Sequence, residues 1–272
     1  MQLDGTVAVV TGAGGGIGAA IASALVSAGG RVVLTDIDAG ALAQAVDRVG
    51  AGAADAVASL AGDATSSDHI DATIRLAEER FGPVDLYFAN AGIMGAPGLD
   101  ATDEAWATTI DINVLAHIRA ARRLVPEWIE RGRGYFVSTA SAAGLLTQIG
   151  SATYSTTKHA AVGFAEWLNV TYGDQGIRVS CLCPMGVDTK LLRPDDAPDE
   201  SARLAQRAVE TAGRVLTPDE VAATVLEALD DERFLILPHP EVLEMYRHKG
   251  ADYDRWLRGM RRYQRGLVEP PA

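Results

Sequence analysis

The sequence predicts a single-domain α/β fold with a doubly wound parallel sheet and helices on both faces. Three observations lead there. Short β-branched runs alternate with longer stretches of helical period from Val7 to Leu237, and such alternation implies right-handed crossovers between parallel strands. The strand runs are apolar without a break, as in Val7-Ala8-Val9-Val10 and Leu86-Tyr87-Phe88, which marks strands buried on both faces. No linker or internal repeat divides the chain, so residues 1–240 read as one domain, with 241–272 as a C-terminal helical extension.

The first strand, Val7–Val10, runs into Thr11-Gly12-Ala13-Gly14-Gly15-Gly16-Ile17-Gly18, which opens a helix from Ile17 to Ala28. Glycines there permit a tight turn and let backbone N–H groups approach a pyrophosphate at the helix N-terminus. The second strand, Val32–Leu34, leads to Asp36, eighteen residues beyond Gly18. A carboxylate at that place accepts hydrogen bonds from an adenosine ribose diol and repels a 2′-phosphate. Gly15 stands where an arginine or lysine would serve a 2′-phosphate, and Ile37 follows the acid. NAD is therefore the expected cofactor, ahead of NADP.

A helix over Ala39–Val49 and a strand over Val57–Leu60 come next. Asp63 then either meets the adenine or belongs to the N-cap region of the helix Ser67–Phe81. The strand Leu86–Phe88 enters Asn90-Ala91-Gly92, and a long helix spans Trp106 to Arg123. A strand at Tyr135–Val137 precedes the helix bearing Tyr154 and Lys158; Arg178–Cys183 and Phe234–Leu237 complete the strands. The segment Thr189–Gly213 holds Pro194, Pro198 and a helical stretch from Ala202 to Glu210. It reads as a lid over a substrate or as a solvated acidic loop. In the extension, Tyr253, Trp256, Leu257, Met260 and Tyr263 form a helical stripe with arginines on the other face. Such a stripe packs on its own core or a neighbouring subunit, or closes over a partner's active site.

Composition narrows the function classes. A net charge of -12 argues against a nucleic-acid partner. No apolar run has the length of a membrane span, and the N-terminus enters a strand without a basic leader; a cytoplasmic location is expected. Cys181 and Cys183 point to one side of a strand and read as core thiols, and no cysteine–histidine spacing suggests a metal site.

Tyr154 and Lys158 stand four residues apart, on one face of a helix, thirteen residues after Ser141. An ammonium beside a phenol favours the phenolate. With the ordered set Thr11-Gly12-x-x-x-Gly16-x-Gly18, Asn90-Ala91-Gly92, Asn113, Ser141 and Tyr154-x-x-x-Lys158, residues 3–240 resemble the short-chain dehydrogenase/reductase family. The resemblance implies a Rossmann-type sheet of about seven strands, a homotetramer or homodimer, and hydride transfer between nicotinamide and an alcohol or carbonyl carbon. By matching position it makes Tyr154 the general acid/base and Ser141 the group that holds the substrate oxygen. Lys158 lowers the tyrosine pKa and binds the nicotinamide ribose, and Asn113 anchors a water-linked proton path. Gly12, Gly16, Ile17, Gly18, Asp36, Asp63, Asn90, Gly92, Tyr154, Lys158, Pro184, Val187 and Thr189 become the cofactor contacts. The usual glycine after Pro184 is Met185 here, which puts the loop path beside the nicotinamide in question. Met94, Leu145, Leu146, Gln148, Met185, Leu191 and Leu192 are candidate substrate contacts. Nearly all are apolar, so a neutral hydrophobic secondary alcohol or ketone is expected: cyclic, aromatic or terpenoid. Hydroxysteroid and dihydrodiol dehydrogenases share the same machinery, and a non-catalytic nucleotide sensor is the rival of another class.

Overall fold

The computed structural model describes residues 1–96, 98–193 and 200–268. Its strands are β1 (Val7–Thr11), β2 (Arg31–Thr35), β3 (Val57–Ser59), β4 (Leu86–Ala89), β5 (Gly134–Thr139), β6 (Ile177–Leu182) and β7 (Leu235–Ile236). They form one parallel sheet in the order β3-β2-β1-β4-β5-β6-β7, the seven-stranded doubly wound architecture expected. The chain winds outward from β1 to β3, returns to the other side of β1 for β4, and winds outward again. The strand order therefore reverses between β1 and β4, and a crevice opens beyond their carboxyl ends.

The helices are α1 (Gly16–Ser27), α2 (Ala39–Val49), α3 (Ser67–Phe81), α4 (Asp103–Ile110), α5 (Ala116–Arg131), α6 (Ala152–Tyr172), α7 (Glu200–Ala212), α8 (Pro218–Asp230), α9 (Glu241–Ala251) and α10 (Tyr253–Val268). Successive strand residues face opposite sides. Val10, Leu34 and Phe88 pack with Ile21, Leu25, Leu42 and Val225 of α1, α2 and α8. Val9, Val33 and Phe136 pack with Ile74, Leu124, Trp128 and Leu168 of α3, α5 and α6. Two cores sandwich one sheet, which is why its strands read as unbroken apolar runs. Among the described residues no helix is long and apolar enough to cross a membrane.

Two helices depart from the sequence pattern. The helix expected over Trp106–Arg123 is α4, a π-helical turn at Asp111–Leu115, and α5, which passes through Pro126 to Arg131. Burial of Leu124, Val125 and Trp128 carries α5 past the proline. The Trp128 indole donates to the Val84 carbonyl at 2.8 Å and lies where a Cβ on Gly134 would come within 2.1 Å of its ring. The second departure is α8, which the strand–helix reading left without an element. Its signal was present: Thr217 and Glu220 form a reciprocal capping box, with Pro218 in the first turn. The helical stretch in the predicted lid is α7; Pro194 and Pro198 lie outside the described residues.

Candidate active site

The glycine loop crosses the end of β1 where it meets β4. Thr11 Oγ1 accepts from the backbone N–H groups of Asn90 and Ala91 and donates to the Phe88 carbonyl. Asn90 Nδ2 donates to the carbonyls of Thr11, at 3.0 Å, and Gly12. These bonds staple the topological switch point. Gly12 has a φ of +63°, and a Cβ there would stand 2.9 Å from Ala91 Cα. Gly18 does not line the crevice: a Cβ on it would fall 2.3 Å from the Gly12 carbonyl oxygen, so its role is to let α1 start directly against the loop. Gly18→Ala should push the loop out of register. We expect at least about a tenfold loss of NADH affinity by fluorescence titration and a stability loss of roughly 1–3 kcal/mol.

Asp36 is fixed by two backbone donors, Gly14 N at 2.9 Å and Asp38 N at 3.0 Å. Its carboxylate lines the same cleft as Gly12, Gly14, Gly16, Ile17, Asn90 and Gly92. Asp63 does not line that cleft; its carboxylate accepts from Thr65 N at 2.8 Å, in the turn before α3, while Ser66 caps the helix. The crevice fits a nicotinamide dinucleotide. Glycines leave room over a helix N-terminus with free N–H groups, Asp36 offers acceptors, and a Cβ at Gly15 would meet nothing within 4 Å.

Ser141, Tyr154 and Lys158 converge on the wall of this cleft. Ser151 caps α6 by accepting from Tyr154 N, which places Tyr154 in the first turn and Lys158 one turn on. Lys158 Nζ donates to the Thr139 carbonyl at the end of β5, at 2.9 Å, and lies 5.5 Å from the centre of the Tyr154 ring. Ser141 opens a 3₁₀ turn, Ala142–Gly144. Its Oγ accepts from Ala143 N at 3.1 Å and donates to the Pro184 carbonyl at 3.3 Å. Gly144 lets this turn press on α6, because a Cβ there would lie 2.4 Å from the Lys158 carbonyl oxygen.

Burial raises the Tyr154 phenol above its ordinary value; the Ser141 hydroxyl works in the opposite direction. Burial also lowers Lys158, to about 8 from 10.5. The folded chain binds this proton more weakly than the unfolded chain. The ammonium therefore destabilises the fold below pH 8, and the penalty fades between about pH 8 and 10.5. Lys158→Met should raise the unfolding free energy at pH 7 by up to roughly 3 kcal/mol, reduced by the orphaned Thr139 carbonyl. Denaturant unfolding at pH 7 and pH 10 tests this; a gain independent of pH would rule out the ammonium as its source.

Asn113 sits fully buried in the π-helical turn. Its Oδ1 accepts from Ile93 N at 2.9 Å, and its Nδ2 donates to the Ile93 carbonyl and, at 3.0 Å, to Thr157 Oγ1, beside Lys158. The wide turn aims this side chain at both the loop after β4 and α6; π turns recur at functional sites. The path of the Met185 loop is also settled by a side chain: buried His239 accepts from Met185 N at 3.2 Å on Nδ1 and donates to the Arg214 carbonyl at 2.9 Å from Nε2. No periodicity or motif marks His239 in the sequence.

A family model for short chain dehydrogenases matches residues 6–200. The chain belongs to the short-chain dehydrogenases. Among its relatives, 1-deoxy-11-beta-hydroxypentalenate dehydrogenase of Streptomyces avermitilis is 36% identical, over 89% of this chain and 87% of the relative. Cyclohexanol dehydrogenase of an Acinetobacter species is 33% identical, over 85% and 90%. A short-chain dehydrogenase/reductase of Burkholderia phymatum, solved in complex with NAD, superposes with a TM-score of 0.85 at 32% identity, over 93% of this chain and 96% of that one. This dehydrogenase is thus an oxidoreductase of the alcohol dehydrogenase type, from a family that uses NAD(P).

The cleft of the dehydrogenase has a volume of about 1220 Å³. Met94, Leu146, Gln148, Met185, Leu191 and Leu192 line it, as do Pro184, Val187 and Thr189. Leu145 is a correction: its side chain is buried in the core, and its neighbour Leu146 faces the cleft. Gln148 is engaged by the Ile149 and Ala205 carbonyls. Sequence reasoning missed Ala205, Ala208 and Ala212 of α7; of the α10 stripe, Trp256, Met260 and Tyr263 pack on their own chain's core, one of the expected alternatives. Trp256, Met260 and Tyr263 line this chain's own cleft, whereas Tyr253 and Leu257 are exposed. Cys181 and Cys183 are buried free thiols with their sulfurs 3.7 Å apart.

Proposed function

We propose that the protein is an NAD-dependent dehydrogenase of hydrophobic secondary alcohols, or of the matching ketones in reverse, with cyclic, aromatic or terpenoid carbon skeletons. The observation that carries the reading is the convergence of Ser141, Tyr154 and Lys158 on a cleft that also takes in the glycine loop and Asp36. When bound, oxidised nicotinamide supplies the hydride acceptor and a positive charge beside the phenol. Gly12, Gly16, Ile17, Asn90 and Gly92 would hold the dinucleotide, Asp36 its adenosine ribose, and Val187 and Thr189 the carboxamide side.

Ser141 keeps its hydroxyl oriented through Ala143 N and Pro184 O, and so presents a fixed partner for the substrate oxygen. Tyr154 takes the alcohol proton as general base, and returns it as general acid in ketone reduction. Lys158, held on Thr139 O, stabilises the phenolate that forms. Asn113 fixes α6 through Thr157, and a water-linked path past it gives the proton a way out.

NAD is favoured by the Asp36 carboxylate and Gly15, and the NAD complex of the Burkholderia relative supports it. The apolar substrate wall and relatives named for hydroxypentalenate and cyclohexanol support the substrate class. A cytoplasmic homotetramer, with a dimer as the smaller option, completes the proposal. The test is NAD⁺ and NADP⁺ reduction across a panel of secondary alcohols, with Tyr154→Phe as control. Turnover of hydrophobic alcohols with NAD⁺ is the expected result. Tight NAD binding without turnover would return the nucleotide sensor, and rapid turnover of short hydroxy acids alone would overturn the substrate class.

A further inference from the structure

The C-terminal helix pair is tied to the elements around the chamber at two points that the catalytic reading does not use. Lys249, on α9, is buried, and its ammonium reaches the far side of the catalytic turn. Nζ donates to the Leu145 carbonyl at 2.6 Å and to His159 Nε2 at 3.3 Å, and lies 5.5 Å from the centre of the Tyr253 ring. His159 is set up to accept, because its Nδ1 lies 2.8 Å from the Ser155 carbonyl. Leu145 closes the turn that Ser141 opens, and His159 follows Lys158. One ammonium therefore touches both catalytic segments from the extension. An apolar chain of equal length would fill the space without a desolvation cost; what the charge adds is its hold on that carbonyl.

The second point is Tyr263 on α10. Its hydroxyl donates to the Ala208 carbonyl at 2.7 Å and lies 2.6 Å from Thr211 Oγ1, both on α7. Next to it Leu267 packs with Ile149 and Ala208. Ala205, Gln206, Ala208, Val209, Thr211 and Ala212 of α7 line the cleft, and Trp256 and Met260 of α10 line the same space.

We propose that Trp256 and Met260 form the distal wall that sets the largest alcohol the chamber admits, and that Lys249 and Tyr263 are positioning residues latching this wall to the catalytic turn and to α7. The inference rests on the alcohol–ketone reading above. Cyclohexanol and a fused two-ring secondary alcohol, decahydro-2-naphthol, are the probes. Trp256→Ala and Met260→Ala should each raise the bulky-to-small ratio of kcat/KM about tenfold, the scale set by a change of pocket volume. Lys249→Met and Tyr263→Phe should raise KM for both alcohols about tenfold with a smaller change in kcat and an unchanged NADH dissociation constant, and Lys249→Arg should recover most of the loss.

An unchanged size ratio in both wall variants would overturn the wall. Latch variants that lower only the thermal midpoint, with KM unmoved, would overturn the positioning roles. Calorimetric binding of the corresponding ketones, cyclohexanone and decahydro-2-naphthalenone, in the presence of NAD⁺, which has no hydride to give them, reads the same size ratio without turnover. A chain that binds by size but turns over neither alcohol would therefore count against the catalytic reading and for the wall.

Discussion

Tyr154→Phe is expected to lower kcat by about a thousandfold while leaving NADH affinity within about twofold. The ring is buried in the first turn of α6, so phenylalanine keeps the packing and removes one oxygen. That oxygen stands with Ser141 and Lys158 on the wall of the cleft. Burial holds the phenol above its ordinary value, so the base form gains population as pH rises. Alcohol oxidation should climb across the alkaline range, and ketone reduction, which needs the protonated phenol, should be best at lower pH. The residual activity of Tyr154→Phe should lose the alkaline climb. A variant that keeps a tenth of the wild-type kcat, with the same pH profile, would remove Tyr154 from the chemistry.

Asp36→Asn should shift cofactor choice by about a hundredfold, read as the ratio of kcat/KM with NAD⁺ to that with NADP⁺. The two carboxylate oxygens hold Gly14 N and Asp38 N, so the charge stands at a fixed place in the cleft. A 2′-phosphate brought near that charge meets a repulsion of roughly 3 kcal/mol at the effective dielectric of a protein surface, about a hundredfold in binding. Asparagine keeps the shape and one acceptor but not the charge. Arg48 lines the same cleft, and its guanidinium is a ready partner for the phosphate once the carboxylate is gone. An unchanged ratio would mean that Asp36 does not face the ribose, and the NAD assignment would fall with it.

The elements that local pattern dictates were legible. Strand runs, the glycine loop, α2 and α3 depend on alternation, β-branching and capping residues that lie within a few positions of one another. Asp36 was legible from its place after the second strand and Tyr154 and Lys158 from their helical spacing, and the resemblance to the short-chain dehydrogenase/reductase family joined them with Ser141 into a constellation. Asn113 was legible as a residue but not in its setting, since the π turn that aims it depends on packing against the loop after β4. Pro126 inside α5 shows the same limit: tertiary burial outweighed propensity.

The sequence by itself determined the sheet, its winding and the chemistry at the switch point, because these follow from period, handedness and a few obligatory glycines. Tertiary structure alone decided the substrate side. Leu145 and Leu146 are adjacent and equally apolar, and only the turn tells which faces the cleft. Lys249 and Leu145 are 104 residues apart, and His239 and Met185 are 54 apart. The C-terminal helix closes on its own chain's cleft for the same reason. Contacts at such separations are set by how buried polar groups find partners in the packed chain, and no local pattern records them.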